Sequence, residues 1–313
     1  MPGRAASFAR AGVLAAATAF VAAAVLVAAA TLRPSPAATK APSLAPPPVA
    51  ADGTPLPTVA SMNVCTDQLV LALADDAQIR TLSWLSADPE ESLLAARAAQ
   101  FPLNYGTAEE VLRFDPDVVV AGTFTSAFAR SLLERLGYRV VEMAPAESVD
   151  DIAADIRRVA DALSQRARGE AAVAALRRSE AALERAAGAR KVGAVVLRPG
   201  GFTVGRGSLA DDLMALAGLD NLAADRGLDR WGSLSIETLV RSAPELLILA
   251  SYRSQEPSLA NAVFDHPAIE RLEARADSLV IPGAAWSCGL PQSLDSAAAM
   301  QRAARRADAH ASR

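Results

Sequence analysis

The chain has 313 residues, 51% of them apolar and 21% charged, enough for two domains of ordinary size with real cores. Beyond residue 57 it carries 27 basic and 34 acidic side chains, a net of about −7, and an acidic body argues against nucleic acid as a partner. With only two histidines, His266 and His310, a His-carboxylate zinc or manganese site is not expected, and two cysteines without CxxC spacing give no redox or zinc motif.

Arg4 and Arg10 precede an almost wholly apolar run, Ala11 to Leu32, the pattern of a secretory signal over residues 1–32. Cleavage is expected near Ala28-Ala29-Ala30, although about 20 apolar residues also suffice for an uncleaved membrane anchor. Neither cysteine follows the apolar run in a way that supports lipidation. Residues 33–57 are rich in proline and read as an extended linker.

The first α/β lobe is expected over 58–165. Thr58 to Asn63 reads as a strand, Cys65 to Ala74 as a helix capped near Asn63 or Thr66, and Ile79 to Ser83 as a strand. Trp84 opens a loop, and Asp88-Pro89 places an N-cap and N1 proline before a helix over Glu90 to Ala99. Tyr105 sits in a loop, and Thr107 with Glu110 forms a capping box. A strand follows over Val118 to Ala121, with Phe124 just beyond it. Then come a helix over Ser126 to Leu136, closed by Gly137, and a strand over Arg139 to Glu142. Strands alternating with helices, with continuous apolar strand runs, indicate a parallel α/β sheet covered on both faces.

Ser148 to Ala187 carries no strand signal. It reads as a lobe helix to Leu163, a division near Arg168-Gly169, and a connecting helix within 166–190 with Val173, Leu176 and Leu183 on one stripe. The second lobe, over 191–308, opens on a strand over Val192 to Leu197. A glycine-rich turn spans Pro199 to Gly207, and Ser208 caps a helix closed by Gly218. Trp231 to Ala250 then repeats the plan of Tyr105 to Ala121: Glu237 lies seven residues before Pro244 as Glu109 lies seven before Pro116, and an apolar strand follows each. Asp265-His266-Pro267 starts a helix, Ser278 to Ile281 is a strand, Trp286 lies in a loop, and Pro291 begins a last helix ending near Arg305.

Several motifs are weaker than they look. Gly205-Arg206-Gly207 lacks the third glycine of a dinucleotide loop, so its glycines read as turn residues. No GxSxG elbow exists, and His266 reads as a helix start rather than a catalytic base. An enzyme on this fold would have to rely on scattered acids such as Asp211 and Asp212. Cys65 and Cys288 could pair in an oxidising compartment, but two separate buried thiols are the plainer expectation. The aromatics are more pointed: Trp84, Tyr105, Phe124, Phe202, Trp231 and Trp286 all fall in expected loops at element ends, where open α/β sheets bind ligands. Glu109 and Glu237 read either as first-turn acids favoured by the helix dipole or as matched docking acids on two lobes.

In SMNVCTDQLVLAL, NYGTAEEVLRFDPDVVVAG, GGFTVGRGSLADDLMALAGLDN, WGSLSIETLVRSAPELLIL and AAWSCGLPQS, taken in order about a helical connector, the chain resembles the periplasmic substrate-binding proteins of iron-siderophore and cobalamin ABC importers. The resemblance covers about Thr58 to Ala304. It implies two Rossmann-like lobes with mainly parallel sheets joined by a single long backbone helix, no catalytic residues, no cofactor or resident metal, and a monomer exported to the periplasm. The expected ligand is a bulky small-molecule metal chelate, cobalamin or a ferric siderophore, and the expected partner an ABC permease dimer. In the cobalamin-binding member, cleft aromatics match Tyr105, Trp231 and Trp286, and two lobe-surface acids that dock on permease arginines match Glu109 and Glu237. The alanine-rich leader and proline-rich linker depart from that pattern and leave a membrane tether open, as in a non-transporting chelate sensor. Candidate cleft cations are Arg198, Arg206 and Arg253.

Overall fold

The computed structural model describes residues 48–50, 53–251 and 258–311. The expected leader, most of the linker and Arg253 lie outside them. Among the described residues no helix is long and apolar enough to cross a membrane.

The first sheet has five strands: β1 (Val59–Ser61), β2 (Ile79–Ser83), β3 (Leu103–Asn104), β4 (Val118–Gly122) and β5 (Arg139–Met143). They run in the order β3-β2-β1-β4-β5, all parallel. Helices α1 (Val64–Leu73), α2 (Ala95–Ala98), α3 (Ala108–Leu112) and α4 (Ala127–Arg135) connect them. Alternation decides which face each side chain covers. Val59, Val118 and Val120 join the core that holds Leu69, Val70 and Leu73 of α1, while Ala60, Val119 and Ala121 pack with Ala108, Val111, Ala129 and Leu133 of α3 and α4. Both faces are apolar because both are covered, the expected state of a parallel sheet.

Two long helices follow, α5 (Val149–Ala162) and α6 (Arg166–Ala186). The chain turns between them at Ser164, whose φ is 57°, not at Gly169. Gly169 lies inside α6, buried, where a Cβ would overlap the Ala160 methyl, so glycine permits the two helices to approach. Val173, Leu176 and Leu183 form the buried stripe of α6, as their spacing predicts. Together with α5 this stripe joins the apolar interiors of both lobes into one cluster.

Six more strands follow: β6 (Val192–Leu197), β7 (Phe202–Val204), β8 (Leu219–Asn221), β9 (Trp231–Ser233), β10 (Leu246–Ser251) and β11 (Asp277–Pro282). Four make a second parallel sheet in the order β11-β10-β6-β8, and β7 pairs with β9 antiparallel. The helices are α7 (Leu209–Leu216), α8 (Ile236–Ser242), α9 (Pro267–Glu273) and α10 (Ser293–Ala311). Val195, Leu197 and Leu247 face Leu239, Ile269 and Leu272 of α8 and α9, whereas Ala194, Val196, Leu246 and Ile248 join Leu213, Met214 and Met300 of α7 and α10.

Five expectations need correction. The helix over Glu90 to Ala99 reduces to Ala95–Ala98: Asp88 does accept the Glu90 N–H, but Gln68 and Ser92 side chains take the Leu93 and Leu94 N–H groups and hold the preceding segment in turns. The glycine-rich turn contains a strand, so Phe202 and Trp231 lie on the β7–β9 pair rather than in loops. Trp84 opens a short 3-10 turn. The last helix starts at Ser293 and continues to Ala311, past Arg305, with His310 paired to Asp277 at 3.2 Å.

The fifth concerns the cysteines, which are not separate thiols. Cys65, in the first turn of α1, is bonded to Cys288, six residues beyond β11, so the bridge joins the two lobes across 223 positions. Around it the lobes are in close contact. A Cβ on Gly289 would overlap the Ala146 methyl, and the Val149 N–H donates to Asp212 Oδ2 at 2.8 Å. Sequence spacing could not show this pairing because it depends on how two separately folded sheets face each other. Closing a loop of this length removes unfolded-state entropy worth about 5 kcal/mol at most. Reduction, or Cys65→Ser with Cys288→Ser, is therefore expected to lower the thermal midpoint by several degrees; an unchanged midpoint with two free thiols confirmed by titration would contradict the bridge's structural role.

Candidate functional site

The carboxyl ends of both parallel sheets open onto one cleft of about 750 Å³. One wall carries Phe124 beyond β4, the segment Ala144 to Glu147 beyond β5, and Asp151, Asp155 and Arg158 on α5. The facing wall carries Arg198 beyond β6, Gly207 to Ala210 at the start of α7, Arg230, Trp231, Trp286 and Ser287. A smaller recess of about 220 Å³ continues the cleft downward, and both bridged cysteines line it.

Three of the six expected aromatics line this cleft, each held by its own local chemistry. Phe124 is 77% exposed on a tight turn that the Arg130 guanidinium clamps, donating to the carbonyls of Gly122, Thr123 and Thr125. Trp231 stands on β9 opposite Val204. The turn before it is tight: Gly205 donates its N–H to Arg230 O, and a Cβ there would run into the Leu228 carbonyl. Gly205 thus serves close backbone approach, while Gly207, with φ 72°, serves a turn. Trp286 is only 7% exposed and forms part of the floor. Its loop is pinned by α10, where Ser293 and Ser296 donate to the carbonyls of Cys288 and Ala285.

The other three sit elsewhere. Trp84 and Tyr105 stack on each other, ring centroids 6.0 Å apart, at the ends of β2 and β3, and are not among the residues lining the cleft. Phe202 is exposed on β7, also off the lining. Of the candidate cations, Arg198 lines the cleft, while Arg206 turns to the Ala224 carbonyl. Five further cleft charges carry no signal in the sequence: Glu147, Asp151, Asp155, Arg158 and Arg230. They come together only because α5 runs along one wall and the β9 turn projects from the other.

These charges are not equivalent. Glu147 and Arg230 form an ion pair from lobe to lobe at 2.6 Å. Asp151 accepts from the Glu147 N–H and the Ser148 hydroxyl and so completes the cap of α5. Asp155 and the Arg198 side chain have no hydrogen-bond or ion-pair partner among the described residues. Burial pushes the Asp155 carboxyl up to about 6, against the pull of Arg158 and with a small push from Asp151.

Beneath the first lobe's wall lies a buried polar layer that the aromatic pattern gives no hint of. Asn104 donates to Ser61 O at 2.9 Å and Thr81 Oγ1 at 3.1 Å, and accepts from the Gly106 N–H. Glu110 reaches back to the Tyr105 N–H at 2.8 Å. Asp67 accepts from the Ser83 N–H at 3.1 Å and from its hydroxyl, which fixes the start of the Trp84 turn. These bonds set the backbone on which the Trp84–Tyr105 pair stands. Glu109 and Glu237 lie outside the cleft, exposed in the first turns of α3 and α8. The Glu237 carboxyl is held below the usual range by its own backbone N–H and the Ser235 hydroxyl. Among the described residues no group of three or more His, Cys, Asp or Glu is placed to hold a metal.

A model described as "Periplasmic binding protein" matches residues 59–281. No curated protein sequence matches the chain. Among solved structures, the periplasmic heme-binding protein RhuT of Roseiflexus sp. RS-1 is 21% identical with a TM-score of 0.67, covering 79% of this chain and 99% of its own. The periplasmic vitamin B12 binding protein BtuF of Vibrio cholerae is 16% identical with a TM-score of 0.64, covering 81% and 98%. A periplasmic heme binding protein of Pseudomonas aeruginosa is 24% identical with a TM-score of 0.62, covering 80% and 92%.

Asp67 is fully buried with Oδ1 unpartnered, and burial pushes its carboxyl up to about 7 against the hydrogen bonds from Ser61 and Ser83. The folded value exceeds the unfolded one, about 3.9, so this group's contribution is fully present below pH 4 and is lost as pH rises through 7. Asp67→Asn is expected to remove that loss. The urea midpoint of the wild type should fall relative to the variant's between pH 4 and 7.5, and a constant difference would contradict the assignment.

Proposed function

The chain belongs to the periplasmic binding protein family, and from that premise we propose that it is the substrate-binding component of an ABC importer for a bulky metal chelate of the corrinoid, haem or ferric siderophore kind. One observation carries the reading: a cleft of about 750 Å³ between the carboxyl ends of two parallel sheets, walled by Phe124, Trp231 and Trp286. Flat aromatic faces in an open cleft suit a large, rigid, partly apolar ligand. The heme- and vitamin B12-binding proteins of similar fold support a chelate of that size. The chain binds and releases its cargo and performs no chemistry on it in this reading.

Location follows from the family, in the periplasm. The Cys65–Cys288 bridge agrees with an oxidising compartment, and the charged and apolar leader over residues 1–32 supports export, whether it is cleaved or retained as an anchor. Glu109 and Glu237 fit docking on a permease dimer. Each is an exposed first-turn acid, on the helix before β4 in one lobe and before β10 in the other. Two such acids match two equivalent basic pockets on a two-fold partner. Trp84, Tyr105 and Phe202, which lie off the cleft lining, would touch only a ligand that extends beyond it.

Titration of the purified protein with cyanocobalamin, hemin and a ferric siderophore is expected to quench tryptophan fluorescence saturably with at least one of them. Trp231→Ala should weaken that complex about tenfold or more. No quenching by any of the three would contradict the reading. Glu109→Ala with Glu237→Ala should leave that affinity unchanged while slowing uptake through the permease, and a loss of ligand affinity instead would contradict the docking role.

A further inference from the structure

Among the described residues two cleft charges, one from each lobe, have no hydrogen-bond or ion-pair partner, although Arg158 attracts Asp155 through space. Glu147 is taken by Arg230, and Asp151 is taken by the α5 cap. Asp155 projects from α5 into both the cleft and the recess beneath it, and Arg198 lies at the carboxyl end of β6 in the facing wall. Neither side chain has a hydrogen-bond or ion-pair partner among the described residues. Arg158, three residues along α5 from Asp155, directs Nη1 to the Glu142 carbonyl at 3.4 Å. Half-buried charges without partners carry a desolvation cost that a bound ligand can offset.

We propose that Asp155 and Arg198 select the ligand by its fringe: a chelate edged with uncharged amides is accepted, and one edged with carboxylates is disfavoured. The inference rests on the chelate-binding reading and goes further by naming the groups that choose among chelates. A primary amide supplies an N–H donor for Asp155 and a carbonyl acceptor for Arg198, so one kind of substituent satisfies both walls. A carboxylate edge satisfies Arg198 but offers Asp155 no donor, and on the α5 wall it meets three carboxylates, Glu147, Asp151 and Asp155, against one cation, Arg158. The aromatics give the cleft its affinity for a flat body in this account, and the two charges give it discrimination, as unpaired buried polar groups do when a ligand cannot answer them.

The test compares cyanocobalamin, which is amide-fringed, with hemin, which is carboxylate-fringed, on the full chain and on Asp155→Leu and Arg198→Met. The wild type is expected to bind cyanocobalamin more tightly. Asp155→Leu should weaken cyanocobalamin about tenfold while leaving hemin unchanged or tighter, since a hydrogen bond to a charged group is lost for one probe and a repulsion for the other. Arg198→Met should weaken both. Asp155 lies only partly buried on the surface of α5, and an unchanged thermal midpoint confirms that its variant folds. Tighter hemin binding by the wild type, or equal effects of Asp155→Leu on both probes, would overturn the inference and leave the chelate reading standing. Failure of the wild type to bind any chelate would overturn both.

Discussion

The cleft depends on how firmly two independent sheets are held with their carboxyl ends facing. Each sheet is stable on ordinary grounds, apolar on both faces and covered by helices. Neither needs the other to bury its outer face, as the separate clusters around Val119 and Leu247 show. What fixes their relation is a short list of contacts. The α5–α6 pair shares one apolar cluster with both lobes. The Cys65–Cys288 bond, the tight fit of Gly289 on Ala146 and the Val149–Asp212 hydrogen bond tie the floor. The Glu147–Arg230 pair is the one tie of this group that lies at the walls of the cleft and is solvent-accessible, and solvent-exposed ion pairs contribute little stability. The base is therefore covalent and close-packed, while the walls are joined by an interaction that water or a ligand can replace.

This division explains why Trp286 and Trp231 differ so much in burial. Trp286 sits in the loop that the bridge and the α10 serines hold, so it is part of the floor whether or not the cleft is filled. Trp231 stands on a two-stranded ribbon outside the main sheet, and Phe124 on a three-residue turn. The rigid elements thus carry one aromatic, and the projecting elements carry two.

Much of the fold was legible in the sequence because its signals are local. Apolar runs such as Val118 to Ala121, caps such as Thr107 and Ser208, and the Glu–Pro repeat mark elements without reference to distant residues. Short strands were lost where the pattern was too brief: β3 has two residues and β8 three, and both exist because a neighbouring strand supplies their partners. The β7–β9 pair was hidden by its glycines, which look like a turn until Leu228 is seen packed against Gly205 and Gly232. The site was legible only in part. An aromatic at an element end is visible in sequence, but whether it faces the cleft, as Phe124 does, or stacks on a neighbour, as Tyr105 does on Trp84, is a matter of three-dimensional placement. The charges on α5 are indistinguishable in sequence from any solvated helix face, and the disulfide depends on lobe orientation alone.

The central claim is that a metal chelate lies between the lobes against Phe124, Trp231 and Trp286. It is tested most directly by locating the metal. Crystals of the protein grown with whichever chelate it binds, measured at the absorption edge of that metal, are predicted to show one anomalous peak within the cleft, flanked by these three side chains and by Asp155 and Arg198. A peak on an outer face of either lobe, with the cleft free of the chelate, would contradict the account.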